Sequence, residues 1–564
     1  LFCKENHVVI IIRKKLLVIC AAIGLLIPAI QAPAQDASSK PMLTIAISSV
    51  QELADDVSYL AKLAEIPGID EQIPGIIQGI GAGLDTTKPI GAVVQAKGIG
   101  IEVIGFIPVT NFDVALAILE GSLGPAQDAG DGVYSLQTPL VPIFLKHSGN
   151  YAYIAQAKEQ LADLPADPVK LLGGLEKQYD FALQGNLQAV PELYLNLIET
   201  QLKTGVELGL QPLPGETDEA YELRRQVTQV QMEQLMTMIN EIDSLTIGLS
   251  IDRAAKNVHL DFAVTAVEGS NLARQSANLA DMETAFSGFL PEDAAISMNI
   301  TQKIAEEDVA ATELLLQSLV TNAATELDND PGLDSAQRAA LKKVLEDSIM
   351  VLTDTLKAGK IDGAASVSFE GSKLVAVGGI KVVDGKKLDA ALQEVLRLAA
   401  EEPGAPSIKL NVDTHKGVSF HSLSVAVPPG VSEIEQVFGE SLEVVLGASD
   451  TGLYFGVGQN SLATVKTAID ASGEGKIVPT MQLSMSVTKL VAFAAGIAPD
   501  LPPEGSELIQ KIAGLTGDDK ISITAEPIPS GQRVRIQLDE VAIKAIGLAG
   551  QGALSLQQSD PFGF

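Results

Sequence analysis

The stretch VTAVEGSNL, beginning at Val264, returns as IKVVDGKKL, beginning at Ile380, and this echo constrains the architecture more than any other feature of the chain. Val267 and Val383, Gly269 and Gly385, and Leu272 and Leu388 are identical, and Glu268 is answered by Asp384. Before the first copy the residues alternate. Leu245, Ile247, Leu249 and Ile251 are apolar with Thr246, Ser250 and Asp252 between them, a turn follows near residues 255–257, and Leu260, Phe262 and Val264 resume the pattern. A period of two over two short runs predicts a hairpin with one buried face. After the second copy the apolar positions become Leu388, Leu392, Val395 and Leu396, the spacing of one helix face. The echoed stretch therefore reads as a strand-to-helix junction.

Weaker versions of the hairpin and helix begin at Ile90 and Ile521, and each of the four is preceded by its own strand and helices, starting at Leu43, Phe181, Ile296 and Met481. The expected unit is strand, helix, helix, strand, strand, helix. In the first, Leu43, Ile45 and Ile47 share a strand face, and Ser49 with Glu52 form a capping box ahead of the stripe Val50, Leu53, Val57 and Leu60. GNYAYIAQ from Gly149 matches GLYFGVGQ from Gly452 and marks strand-rich inserts at about residues 126–178 and 403–478.

These patterns predict an α+β fold of two internally duplicated copies built from strand-helix-helix-hairpin-helix units, residues 42–290 and 291–550, before a flexible tail at 551–564. Clean alternation predicts mostly antiparallel sheets with helices on one face. The other sheet face would carry small polar residues: Thr44, Ser48, Ser297, Asn299, Thr301, Gln482, Ser484 and Ser486. Solvation or packing within the molecule is their expected role.

The N-terminus reads as a signal peptide over residues 1–34. Arg13, Lys14 and Lys15 precede the apolar run LLVICAAIGLLIPAI, and Ala32-Pro33-Ala34 supplies an A-x-A cleavage pattern before Gln35. The run is short of the ~20 residues a spanning helix needs, and no second run of that kind follows, so no membrane span is expected after cleavage. Ile19 precedes Cys20 where a lipoprotein signal wants a small residue. Both cysteines, Cys3 and Cys20, fall within this segment, which leaves the mature chain cysteine-free and dependent on core burial. The expected location is the periplasm, or the extracellular space or cell surface.

With 71 acidic against 39 basic residues, the formal net charge is −32. Nucleic acid needs clustered Lys and Arg for its phosphates and is excluded as a partner, and an anionic membrane surface would repel the chain. An unknown protein or small-molecule ligand remains as partner, and self-association through the polar sheet faces is open.

No catalytic, cofactor-binding or metal constellation emerges, and no cofactor is expected. Ser486-Val-Thr-Lys489 fits the S-x-x-K nucleophile motif, but neither S-D-N nor K-T-G accompanies it. GIGAG at Gly79–Gly83 lacks the strand-before, helix-after setting of a dinucleotide loop and reads as a helix end, and ASGEGKI, ending at Ile477, reads as a surface turn. Asp328, Asn329, Asp330 and Gly332 resemble a calcium loop with the glycine displaced and Ala339 where the bidentate glutamate belongs. Asp334 with Gln337 reads instead as a helix cap. His415 and His421 flank a turn at Lys416-Gly417, without the third ligand or the cysteines that zinc wants, and read as exposed strand histidines.

The repeated strand-helix units, the acidity, the scarcity of cysteine and the phrase FLPEDAAISMNI, Phe289 to Ile300, resemble large acidic exported proteins of the planctomycete type, which are uncharacterised. That resemblance implies no reaction and transfers no functional residue. The sequence expectation is an exported, non-enzymatic repeat protein acting as a binding or structural module. A carrier of a lipid or other apolar ligand is the alternative, and a serine-dependent enzyme around Ser486 and Lys489 the weaker one.

Overall fold

The computed structural model describes residues 40–559, apart from 67, 98–99, 139–140, 214–215, 402–404, 429–431, 474 and 498–502. The expected signal peptide, both cysteines and residues 560–564 lie outside the described residues. The fold is α+β, and every strand pairing described below is antiparallel.

In chain order the first stretch holds β1 (Leu43–Ile47), α1 (Val50–Leu63), α2 (Ile69–Ile80), β2 (Ile90–Lys97), β3 (Gly100–Pro108) and α3 (Phe112–Leu123). Strands β4 (Gln127–Gly130), β5 (Val133–Leu136), β6 (Ile143–Ser148) and β7 (Tyr151–Ala155) follow. Next come β8 (Phe181–Asn186), α4 (Glu192–Gly209), α5 (Asp218–Glu241), β9 (Ile242–Asp252), β10 (Asn257–Ala266) and α6 (Asn271–Asn278). The order then recurs as β11 (Ile296–Lys303), α7 (Glu306–Asn329), α8 (Ser335–Lys357), β12 (Lys360–Glu370), β13 (Lys373–Lys381) and α9 (Gly385–Glu401). Strands β14 (Ser407–His415), β15 (Val418–Ala426), β16 (Ser441–Ala448) and β17 (Gly452–Val457) lead to α10 (Ser461–Ala471). The chain closes with β18 (Met481–Ser486), α11 (Val487–Ile497), α12 (Pro503–Ala513), β19 (Lys520–Ile528), β20 (Gly531–Asp539) and α13 (Glu540–Ser559).

Two compact units form, each from discontinuous chain, whereas the sequence reading divides the chain once, after Leu290. The first holds the residues up to Thr200 with Ile239–Val267 and those from Gln537. Its strands run β10-β9-β8-β1-β2-β3-β7-β6-β5-β4. The core gathers Val93, Phe106, Tyr153, Leu161 and Ala182 on one face. The second unit holds Gln201–Met238 and Glu268–Ile536. Its strands run β19-β18-β11-β12-β13-β17-β16-β15-β14, around Phe286, Phe289, Val377, Phe420 and Val465.

The two junctions that open the sequence argument use their glycines differently. Gly269 sits at φ +78°, a left-handed conformation, and Ser270 caps α6 by accepting from Ala273 N–H at 3.1 Å. A Cβ on Gly385 would stand 1.9 Å from the Ser449 carbonyl oxygen, and here Asp384 accepts from Lys387 N–H at 2.9 Å. Identical letters answer to different constraints, one of backbone conformation and one of space.

Three local expectations need correction. Ser49 does cap α1, accepting from Glu52 N–H at 3.0 Å, but the Glu52 carboxylate turns to Arg253 instead of back to the cap. The chain from residue 551 to Ser559 is not a tail but continues α13, because Gln551 donates to the carbonyls of Ala64 and Glu65 and Gly547 packs against Ala64. The third concerns the sheet faces. Leu245, Ile247 and Phe262 stay about 40% exposed, while the polar residues between and beside them, Ser244, Thr246 and Asp261, are buried.

Thr44, Asn299, Thr301, Ser484 and Ser486 are buried likewise. Of the two roles expected for the polar face, packing within the molecule is the one these positions take. Burial is affordable where donors and acceptors pair. Thr301 and Thr284 both donate to Asp362, Gln184 donates to Thr246, and Ser244 and Thr265 share a hydrogen bond.

Candidate functional site

The second unit contains a cavity of about 600 Å³ between its sheet and two helices. Strand pairing builds the floor. Met298 stands opposite Ala365 and Ile300 opposite Gly363, Gly363 faces Ile380, Ile380 faces Leu453, and Phe455 faces Leu446. With period-two alternation these side chains share one face. Gly363 and Ala365 form a dip between larger neighbours, and the Phe455 ring lies over Gly378, where a Cβ would meet it at 2.3 Å.

The roof comes from α8, through Val344 and Ser348, and from α9, through Leu388, Leu392 and Val395. The i, i+4, i+7 stripe of α9 thus divides its work: Leu396 is buried in the fold, and Leu392 and Val395 face the cavity. Thr355 on α8 accepts from Val383 N–H at 3.1 Å, and Lys387 on α9 pairs with Asp347 on α8 at 3.3 Å. The ion pair ties the two helices to each other, and the Val383 bond ties α8 to the turn before α9.

Among the described residues no charged side chain lines the cavity. Asn299 and Tyr454, on lining strands, point through to the other face: Asn299 Nδ2 donates to the Pro479 carbonyl, and Tyr454 packs on Phe286 and Phe289. Burial raises the Tyr454 phenol above its usual value. Yet the floor is open to solvent, with Met298 51%, Ile380 40% and Phe455 40% exposed. Such a site can hold apolar matter, and Ser348 brings a single hydroxyl to the lining among the described residues.

The first unit has the same strand register without the space. Ile45 stands opposite Ala92 and Ile47 opposite Ile90, so Ile90, buried, occupies the position that Gly363 leaves empty. The pocket there is about 20 Å³.

The residues singled out by sequence pattern do not assemble into chemistry. Ser486 Oγ donates to Asp519 and accepts from Lys489 N–H, closing the start of α11, while the Lys489 ammonium donates to the Asp293 carbonyl. Asp330 accepts from Gly332 N–H, Asp328 pairs with Lys342, and Asp334 with Gln337 forms the reciprocal cap of α8. GIGAG is a helix end, with Gly81 N–H donating to the Ile77 carbonyl. ASGEGKI falls partly outside the described residues. His415 bonds Asp470. His421 is not exposed but fully buried, accepting from Asn411 N–H at 3.1 Å and donating to Asp389 at 2.8 Å. The two histidines do not face each other: His415 pairs with Val418 and His421 with Leu446.

The cavity itself escaped sequence reasoning. Its trace is the small run GAAS at Gly363–Ser366 opposite VGGI at Val377–Ile380, which becomes meaningful only once the strands are paired. No family model, curated protein or solved structure matches the chain.

Proposed function

We propose that this chain is an exported, non-enzymatic binding protein that carries an apolar ligand, such as a lipid acyl chain, in the cavity of its second unit. The observation that carries this reading is the open, uncharged cavity floored by half-exposed Met298, Ile380 and Phe455. Apolar surface left in water costs about 25 cal/mol per Å², and a ligand that covers it recovers that free energy. The cavity also falls within the usual range of ligand sites, about 300–1,000 Å³. Among the described residues Ser348 is the one polar side chain of the roof, so a ligand would place an apolar body inside and a polar end toward the opening.

Export belongs to the same proposal. It rests on the basic, apolar and A-x-A sequence of residues 1–34, and the likeness to planctomycete-type exported proteins agrees with it. No helix among the described residues is long and apolar enough to cross a membrane. Internal duplication is supported by the nine strands that follow the same order in both units, and implies that one copy kept or gained a cavity while the other filled it.

The test is native mass spectrometry of the chain purified from its own host without detergent. A discrete excess mass, lost on denaturation, is expected and would identify the cargo. A bare mass together with no binding of an apolar fluorophore would overturn the carrier reading and leave the structural module, or self-assembly if the mass is a multiple.

A further inference from the structure

We propose that Glu52, Asp56 and Asp180, in the first unit, form a binding site for a divalent cation, calcium by its all-oxygen donor set. Glu52 and Asp56 are four residues apart on α1 and share a face. Asp180 is delivered by the pairing of β1 with β8, its carbonyl accepting from Ser48 N–H at 3.0 Å. One carboxylate oxygen from each of the three lies within 4.8 Å of the other two. Oxygens bound to one calcium at about 2.3–2.6 Å stand up to about that far apart, so the spacing fits a shared ion.

The second observation is the state of Asp56. It is fully buried, and neither of its carboxylate oxygens accepts a hydrogen bond. A buried carboxylate without donors is costly unless a proton or a cation compensates it. Among the described residues Arg253 is the one cation in contact, and it is shared. Its guanidinium pairs with Glu52, stands 3.6 Å from Asp55, and approaches Asp56 through Nε at 3.3 Å outside hydrogen-bond geometry.

One positive charge is thus shared by three carboxylates, with Asp180 beside them. Asp180 spends Oδ2 on Ile251 N–H at 2.7 Å and keeps Oδ1 for another partner. A divalent ion among the three carboxylates would supply the charge that the shared Arg253 does not.

Calcium titration by calorimetry, with terbium luminescence as a second readout, tests this on the chelator-stripped full chain at neutral pH. Wild type, Asp56→Asn, Asp180→Asn and Glu52→Gln are compared with the control Asp328→Asn, which alters an exposed aspartate paired with Lys342. One saturable site is expected, weakened about tenfold or more in the three site variants and unchanged in the control. Circular dichroism identifies any variant that fails to fold, and Glu52→Gln, at a half-exposed side chain, then carries the same expectation. No binding by wild type, or equal binding by every folded variant, overturns the proposal.

Discussion

Ser486 Oγ stands 2.6 Å from Asp519 Oδ2 and donates to it, and the same carboxylate receives the Thr488 side chain and backbone N–H. The serine of an S-x-x-K match is therefore a helix cap tied to an aspartate across 33 residues. Burial raises the Asp519 carboxyl, but the bonds from Ser486 and Thr488 and the Lys489 charge outweigh it and hold the group below its usual value. The stability it contributes is present above the ordinary aspartate pKa of about 3.9 and is lost as pH falls through the lowered folded value. Asp519→Ala should cost about 1–3 kcal/mol at neutral pH. In urea unfolding its difference from wild type should shrink below about pH 3.9. A difference independent of pH would contradict this. Serine-directed activity probes should leave Ser486 unlabelled.

Ala365→Phe places a ring on the cavity floor between Met298 and Gly378. It should displace a ligand group worth about 1.5–3 kcal/mol, weakening binding of an apolar fluorophore about tenfold or more. Thermal unfolding should change little, because the added ring enters existing space. Unchanged binding would remove the cavity from the mechanism.

Removing the imidazole of His421 takes a partner from two groups at once. His421→Phe leaves Asn411 N–H without its acceptor and Asp389 with Gln393 as its remaining donor, both beside the buried ring position. The expected loss is about 1–3 kcal/mol. Asn411 is held at φ +54° within an irregularity of β14, so hydrogen exchange should rise first at residues 409–413.

Gly269→Ala and Gly385→Ala separate conformation from space. At Gly269 no atom lies within 4 Å of the new Cβ, and the cost is the left-handed backbone, about 1–2 kcal/mol. At Gly385 the Ser449 carbonyl blocks the Cβ, and the start of α9 must shift, at about 3 kcal/mol or more. Equal destabilisation of the two would refute this division.

Much of the element order is readable from local pattern. Period-two runs such as Leu245–Ile251 and the Leu388–Leu396 stripe declare strand and helix because backbone geometry alone sets those periods. The Asp334–Gln337 cap is equally local, needing four residues. The Ser49–Glu52 box is half right because Glu52 had a distant competitor, Arg253, invisible in a four-residue window. The run from residue 551 to Ser559 was misread as tail for the same reason, since the partner of Gln551, the Ala64 and Glu65 carbonyls, lies nearly five hundred residues away.

What the sequence determined by itself is the repertoire of elements and their order, because these follow from neighbours along the chain. Which sheet face is buried was decided by tertiary structure. Alternation shows that one face is apolar and one polar, but only packing and hydrogen-bond pairing, as of Thr301 with Asp362, could bury the polar one and leave Met298 and Phe455 open. The cavity and the Glu52, Asp56 and Asp180 cluster have the same origin: each depends on side chains from separate strands and helices meeting in space, and no local period encodes that meeting.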